Sequence, residues 1–569
     1  MTYADLVFTG GPVFRADPAR TRASAVAVRS GRIVAVGHAE VHDLIGPGTE
    51  VVDLKGRMLL PGFTDAHVHP VWGGLDMLRC DLALCGTRAQ YLEVIAAYVT
   101  RRPHDPWVLG GGWSMSAFPG GTPLASDLDA IVPDRPAFLA NRDGHGAWVN
   151  SKALELAGIT MDTADPVDGR IERLPDGRPS GTLHEGAMDL VNIHIPPEPP
   201  ERMIEALLTG QRYLHSFGVT GWQDAIVGSD YGDAGDPIPA YLAAQASGAL
   251  TGRVVGALWW HRGRGVEQIP DLLAAREHSL VAYGATLAAR GGLDPGAAPG
   301  SFRATSVKIM QDGVAENYTA SMTEPYLDRC GHPTDNSGIS FVPPQILAQA
   351  VPALDADGFQ LHFHAIGDRA VRECLDGVAL ARRSNGLSHG RHHIAHLQVV
   401  HPDDVPRFRQ LGVAANMQSL WAALEPQMVE LTLPFLGEPR SAWQYPWGDL
   451  SRAGATLVSG SDWSVSTPDP WAAIHVAVNR KAHSSFAEGD YEVFLPEQRL
   501  DLTSALAAYT AGSAWVNHLD EAGTVAVGNL ADLVVVDSDP FAGPLEEIGA
   551  TRTMQTFVGG RRVYAAADA

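Results

Sequence analysis

Residues 59–70 read LLPGFTDAHVHP, a short apolar run that closes on His67 and His69. Alternate residues of a strand face the same side, so the two imidazoles leave one strand end in one direction. A neutral imidazole offers a ring-nitrogen lone pair near physiological pH and suits divalent transition metals. An isolated pair of this kind also occurs as core or surface histidines. Its place at the end of a buried run makes the rest of the chain decisive.

Outward from this stretch, short β-like runs alternate with longer segments of helical periodicity, the pattern of βα units around a parallel sheet. Eight runs are expected as strands, at 62–67, 137–141, 219–224, 305–311, 360–364, 392–396, 413–417 and 456–461. That count predicts an α/β protein with a (β/α)8 TIM barrel, whose active site lies at the C-terminal strand ends. The Gly-, Trp- and Pro-rich stretches at about 71–135 and 157–200 read as cap insertions over the mouth. Both chain ends are β-rich, with strand-like runs at 4–10, 25–29, 32–36, 532–537 and 554–558 and turns at Ser30-Gly31 and Gly559-Gly560. Residues 1–60 and 520–569 are expected to pair into one composite β-sandwich, leaving 61–519 as the barrel; two unrelated decorations are the alternative.

Three more polar residues close later runs: His364 in QLHFHAIGDRA, His396 in RHHIAHLQ and Asp462 in TLVSGSDWSV. Singly, the histidines fit satisfied core positions and Asp462 fits a helix N-cap. Together with His67 and His69 they form a ligand set for one or two zinc-like ions with positions open to water. His362, two residues before His364, has the same alternation and competes for its assignment, whereas His392 and His393 precede His396 and His401 begins a loop.

His145, in RDGHGAWVNS, follows the second expected strand and either orients a substrate carbonyl or pins its own loop. Glu185 in LHEGA reads as a cap-side pocket residue or a solvated helix position. Trp113, Trp421 and Trp463 fall near expected loop ends and either wall an apolar pocket or simply pack. Gly110–Ser114, GGGWS, lacks a helix-opening phosphate fingerprint and is assigned to the cap. No GxSxG elbow or P-loop supports a serine hydrolase or nucleotidase.

The 569 residues carry 42 basic and 65 acidic side chains, a net charge of −23, which disfavours nonspecific contact with nucleic acid or anionic membrane. No run approaches the roughly 18 apolar residues of a membrane span. Cys80, Cys85, Cys330 and Cys374 are scattered, and the opening MTYADLVFTG lacks a signal peptide's regions, so a reducing cytoplasm is expected. The base rate for soluble oligomers points to a homodimer.

The motifs LLPGFTDAHVHP, RDGHGAWVNSKAL, VKIMQDG, HFHAIGDRAV, HHIAHLQVV, GSDWSV and VAVGNLADLVVVD, in this order, resemble the amidohydrolase superfamily across nearly the whole chain. The resemblance is to its branch of N-substituted formamide deformylases and related metal-dependent hydrolases. It implies a metal-bearing barrel with a sandwich built from both ends. His67 and His69 would then hold one metal, His364 and His396 the second, and Asp462 would be a metal-linked base. Lys308, in VKIMQDG, matches the place where relatives carry a carboxylated lysine bridging two metals; a plain lysine, neutral through burial or paired with Asp312, is the alternative. The implied activity is cleavage of a non-peptide C–N bond, such as a linear amide or N-substituted formamide, with a small-molecule amide as substrate. A deaminase or cyclic-amide hydrolase on the same scaffold is the second reading.

Overall fold

The computed structural model describes residues 3–229, 235–289, 300–484, 492–567 and 569. Eight strands form one parallel sheet: β1 Phe63–Val68, β2 Val219–Val227, β3 Arg253–Trp259, β4 Ser301–Met310, β5 Gln360–Ala365, β6 His393–His396, β7 Ala414–Met417 and β8 Leu457–Ser459. Their pairing follows chain order from β1 to β8. The strands are almost wholly buried, as expected where helices cover one face and the barrel interior the other. The outer helices read amphipathically. Pro200–Ser216 opens on a proline that needs no N–H there and buries Met203, Ala206, Leu207, Gly210 and Leu214 at spacings of three and four.

The strand at 137–141 is a correction. Ala137–Asn141 is not the second barrel strand; it lies inside a separate six-stranded sheet with Cys80–Asp81, Val108–Trp113, Gly146–Val149, Gly169–Arg173 and Pro179–Glu185. The barrel instead uses Arg253–Trp259, which the sequence reading passed over. Both runs are short, apolar and bounded by turn residues, so periodicity cannot separate them. Partner strands decide: Arg253–Trp259 pairs in parallel with β2 and β4, whereas Ala137–Asn141 has an antiparallel neighbour in Gly146–Val149.

Strands from the two chain ends share a sheet. Leu533–Val536 pairs antiparallel with Met58–Pro61, which also pairs with Val13–Phe14. A four-stranded sheet containing Leu6–Thr9 and Val26–Arg29 faces it, and Leu6, Phe8, Val26 and Val28 join Leu59, Leu533, Val535 and Phe557 in one buried cluster. The Val26–Arg29 to Arg32–Val36 hairpin turns on Ser30 and Gly31, at φ 50° and 78°, the left-handed pair that matches strand twist.

Met58–Pro61 runs through Gly62 directly into β1. A side chain on Gly62 would meet Thr220 at 2.4 Å, so the chain passes there only as glycine. Arg253, at the start of β3, donates to Asp532 with Nη2 2.9 Å from Oδ1, and both side chains are nearly fully buried. Breaking such a pair leaves a buried charge uncompensated, at about 3–5 kcal/mol. Asp532→Ala should therefore lower the denaturant midpoint well beyond any surface Asp→Ala change; an unchanged midpoint in urea titrations would show that this pair does not tie the end sheet to the barrel.

Candidate metal centre and its cavity

The C-terminal strand ends bring six expected residues together. His67 ends the inward row of β1, and His69 follows two residues later, before helix Pro70–Leu78. Their Nε2 atoms converge on one oxygen of Asp462, at 3.2 and 3.1 Å from Oδ1. The nitrogens and carboxylate oxygen of these three buried residues lie within 4.8 Å of one another. Lys308 Nζ from β4 is 3.4 Å from His67 Nε2. His396, the last residue of β6, has Nδ1 3.8 Å from Asp462 Oδ2, and its ring lies 4.4 Å from that of His364 on β5.

The backbone is strained where these side chains are aimed. His396, Leu397 and Asp462 sit at φ 79°, 53° and 56°, left-handed values uncommon for side chains of this kind. The strain is held by hydrogen bonds. The Asp462 N–H donates to the His67 carbonyl at 2.8 Å, and the Asp65 carboxylate accepts from the N–H groups of His67 and Ser461, both at 3.0 Å. These bonds join the first barrel strand to the segment that follows the last.

Burial governs the charges. It pushes His67 down to about 3, with the Lys308 charge adding to the effect, and pulls His69, His364 and His396 below the ordinary histidine value. Burial likewise lowers Lys308 to about 7. Burial opposes ionisation of Asp462, but His67, His69 and His396 outweigh it and hold the carboxyl well below its usual range. The result is neutral imidazoles around one carboxylate, the protonation pattern a divalent ion requires. Both ring nitrogens of His396 and Nδ1 of His69 are buried without hydrogen-bond partners among the described residues, which also fits a metal-binding role.

Other residues are placed by the same contacts. Asp312, weighed as a partner of Lys308, instead accepts from His364 Nδ1 at 3.2 Å and from the N–H groups of Ser321, Ile366 and Gly367 at 2.8–3.0 Å. That contact fixes the His364 ring and leaves its Nε2 for the centre. His362 lies one layer below, its Nε2 2.8 Å from His67 Nδ1. His393 contacts Gln223 and Asn416 inside the barrel, His392 binds Asp355 at 2.8 Å, and His401 accepts the Asp403 N–H at a short turn.

His145 reaches the site from the cap sheet, not from a barrel strand. Its Nδ1 lies 3.0 Å from both oxygens of Glu185, and its ring is 5.6 Å from that of His364. Glu185 is not a solvated helix residue: it ends strand Pro179–Glu185, is buried, sits at φ 52° and accepts from Thr319 Oγ1 at 2.8 Å. The pairing joins residues 40 positions apart, and no local pattern announces it.

These groups line a cavity of about 1860 Å³ between barrel and cap. Trp421 stacks on His396 at 5.4 Å and Trp463 also faces the cavity, whereas Trp113 is wholly buried in the cap core beside Phe118 and Trp148. Trp72, absent from the sequence reading, stacks on His69 at 5.0 Å. No helix among the described residues is long and apolar enough to cross a membrane.

Comparison with known proteins agrees with this architecture. The model of a family described as "Amidohydrolase family" matches residues 50–564. The chain is 31% identical to "Protein LONG AFTER FAR-RED 3" of Arabidopsis thaliana, over 99% of this chain and 92% of that one. It is 26% identical to "N-substituted formamide deformylase" of Arthrobacter pascens, over 98% and 97%. Among solved structures, an uncharacterized metal-dependent hydrolase from Pyrococcus horikoshii OT3 superposes with a TM-score of 0.69 at 23% identity, covering 95% of this chain and 99% of that one.

The Glu185–His145 pair has a defined pH signature. Burial disfavours both charges, but their mutual attraction wins, lowering Glu185 to about 2 and raising His145 above the usual 6.5. The His145 contribution to stability is complete below pH 6.5 and is lost as pH rises through its raised folded value. The Glu185 contribution is complete above its usual 4.5 and is lost as pH falls towards about 2. In Glu185→Gln burial remains and the main attraction goes, so NMR titration of ¹⁵N-histidine-labelled protein, assigned with His145→Asn, should show His145 titrating lower than in the parent. An unmoved resonance would contradict the pairing.

Proposed function

This chain belongs to the amidohydrolase family, a metal-dependent hydrolase acting on C–N bonds, and we propose that it cleaves a linear amide or N-substituted formamide using one or two zinc-like ions. The observation that carries the reading is the convergence of His67, His69 and Asp462, with Lys308, His364 and His396 beside them, at the C-terminal ends of the barrel strands. His67, His69 and Asp462 would hold one ion, and His364 and His396 a second. A bound ion of this type supplies Lewis acidity toward a carbonyl oxygen and makes water nucleophilic at neutral pH.

The chain's own residues supply the rest. Asp462 accepts the proton of the attacking water and passes it to the leaving nitrogen, because an amine leaves poorly unprotonated. His145, whose charged form the adjacent Glu185 favours, would present an N–H from the cap side to the oxygen on which negative charge develops.

Lys308 is proposed to carry a carboxylate on Nζ that bridges the two ions. Its position supports this: the buried amine has a histidine nitrogen, not a carboxylate, as its hydrogen-bond neighbour among the described residues. Reaction of the neutral amine, which burial favours, with CO2 and loss of one proton would give an anion with two oxygens. The full-length similarity to the formamide deformylase favours linear amides over ring deamination, since similarity to an adenine deaminase extends over only 12% of this chain.

Metal analysis should find about two ions per chain, and chelation should stop amine release from N-substituted formamides. Asp462→Asn should retain most of the metal while losing at least roughly 10³-fold in kcat. A turnover-competent Asp462→Asn enzyme would remove Asp462 from the proton path. Lys308→Ala should lose one ion and recover activity in part with added formate or acetate; one ion per chain beside an unmodified lysine in anomalous density would rule out the bridge.

A further inference from the structure

Asp328, Cys330 and His332 alternate along LDRCGH, on an exposed turn between β4 and helix Pro344–Ala356. A carboxylate oxygen, the thiol sulfur and a ring nitrogen of these three residues lie within 4.8 Å of one another. Among the described residues the only other such convergence of histidine, cysteine and carboxylate side chains is the centre of His67, His69 and Asp462. None of the three lines the cavity between barrel and cap, so the chemistry above gives them no task. Of the four cysteines only Cys330 is exposed; Cys80 and Cys374 are buried and Cys85 is half-buried.

The turn sets the donors before any ion is bound. The Asp328 N–H donates to the His332 carbonyl at 2.8 Å and the Gly331 N–H to the Asp328 carbonyl at 2.9 Å, with Gly331 at φ 81°, where a side chain would be strained. Oδ1 of Asp328 accepts from the N–H groups of Cys330 and His332 at 2.8 and 2.9 Å. One carboxylate oxygen thus orients the group, and the other, Oδ2, stands 3.4 Å from His332 Nδ1. Oxygen and nitrogen ligands of a tetrahedral zinc-like ion, each about 2.0–2.1 Å from it, are about 3.3–3.4 Å apart. Carboxylate and imidazole are therefore already at a coordination spacing, and Sγ closes the remaining distance by a change of rotamer on an exposed side chain.

The base of the turn is anchored. Leu327 bridges to Pro333 and its N–H donates to the Phe435 carbonyl at 2.9 Å, while Tyr326, Phe435 and Leu436 share one buried cluster. Arg440 donates to the carbonyls of Glu324 and Pro325 at 2.7 and 2.8 Å. Little backbone ordering is left for a ligand to impose.

We infer that Asp328, Cys330 and His332 form an accessory metal site that takes one borderline divalent ion, of the zinc and cobalt class, through one oxygen, one sulfur and one nitrogen, with a fourth position open to water. Thiolate and imidazole select such ions over magnesium and calcium, which take oxygen ligands. On binding, the Cys330 S–H bond breaks, a sulfur–metal bond forms and the proton leaves to solvent. The site stands independently of the hydrolase reading. The competing account of the 3.4 Å spacing is an exposed ion pair with protonated His332, which contributes little and needs no cysteine.

Cobalt titration of the full-length holoenzyme reads this site apart from the catalytic one, because a sulfur-to-cobalt charge-transfer band in the near ultraviolet requires a thiolate ligand and the proposed catalytic set contains no cysteine. Wild type, with its catalytic ions in place, should gain the band with an end point of about one cobalt per chain. Cys330→Ser should lose the band, whereas Cys85→Ser, which changes the cysteine at the cavity, should keep it. Asp328→Asn retains an oxygen acceptor for the two turn N–H groups, and His332→Asn removes the imidazole; each should weaken cobalt binding roughly 10- to 100-fold, no less than the loss of a supporting partner costs a metal site. No band at saturating cobalt, or a band that survives Cys330→Ser, overturns the site. So does cobalt dependence that is unchanged in Asp328→Asn or in His332→Asn, which would mean adventitious binding to an exposed thiol.

Discussion

The carboxylate of Asp462, shared between His67 and His69, is the contact on which the site depends. A fully buried carboxylate is costly unless its oxygens are engaged, and here two imidazoles converge on one oxygen at 3.1 and 3.2 Å. The same residue closes the barrel, because its backbone N–H donates to the His67 carbonyl. Metal-site geometry and barrel seam are thus one arrangement. A residue at φ 56° survives there because the hydrogen bonds around Asp65 and His67 over-determine it.

Above this layer the protein builds a charged rim from a different sheet. Glu185 ends a cap strand, His145 lies in the turn between the cap strands Ala137–Asn141 and Gly146–Val149, and Arg262 comes from a barrel loop. Within a chain of net charge −23, the cavity wall carries both signs, with His145 beside Glu185 and Arg262 beside Asp168.

Much of the fold was legible because its signals are local. A buried parallel strand must be apolar along its length, so seven of the eight barrel strands stood out as short apolar runs, and the polar residues ending them converge on one cavity. The failure at 137–141 has a physical cause. Ala137–Asn141 and Arg253–Trp259 are equally strand-like, and only hydrogen bonding to β2 and β4 selects the second for the barrel. His145 was singled out from its motif, but its origin in the cap followed from that same strand and was misread with it.

The sequence by itself determined which side chains reach the strand ends. The two-residue period of a strand places His67 on the inward row, and the same period sets His362 and His364 on one side at successive depths. It could not say which of the two would meet the centre. The tertiary structure decided that, setting His362 behind His67 and engaging His364 with Asp312. It also decided that Glu185 pairs with His145 and that Arg262 lies over Phe341. Those contacts join residues tens of positions apart, and strand register and cap packing, not local pattern, bring them within hydrogen-bonding or stacking distance.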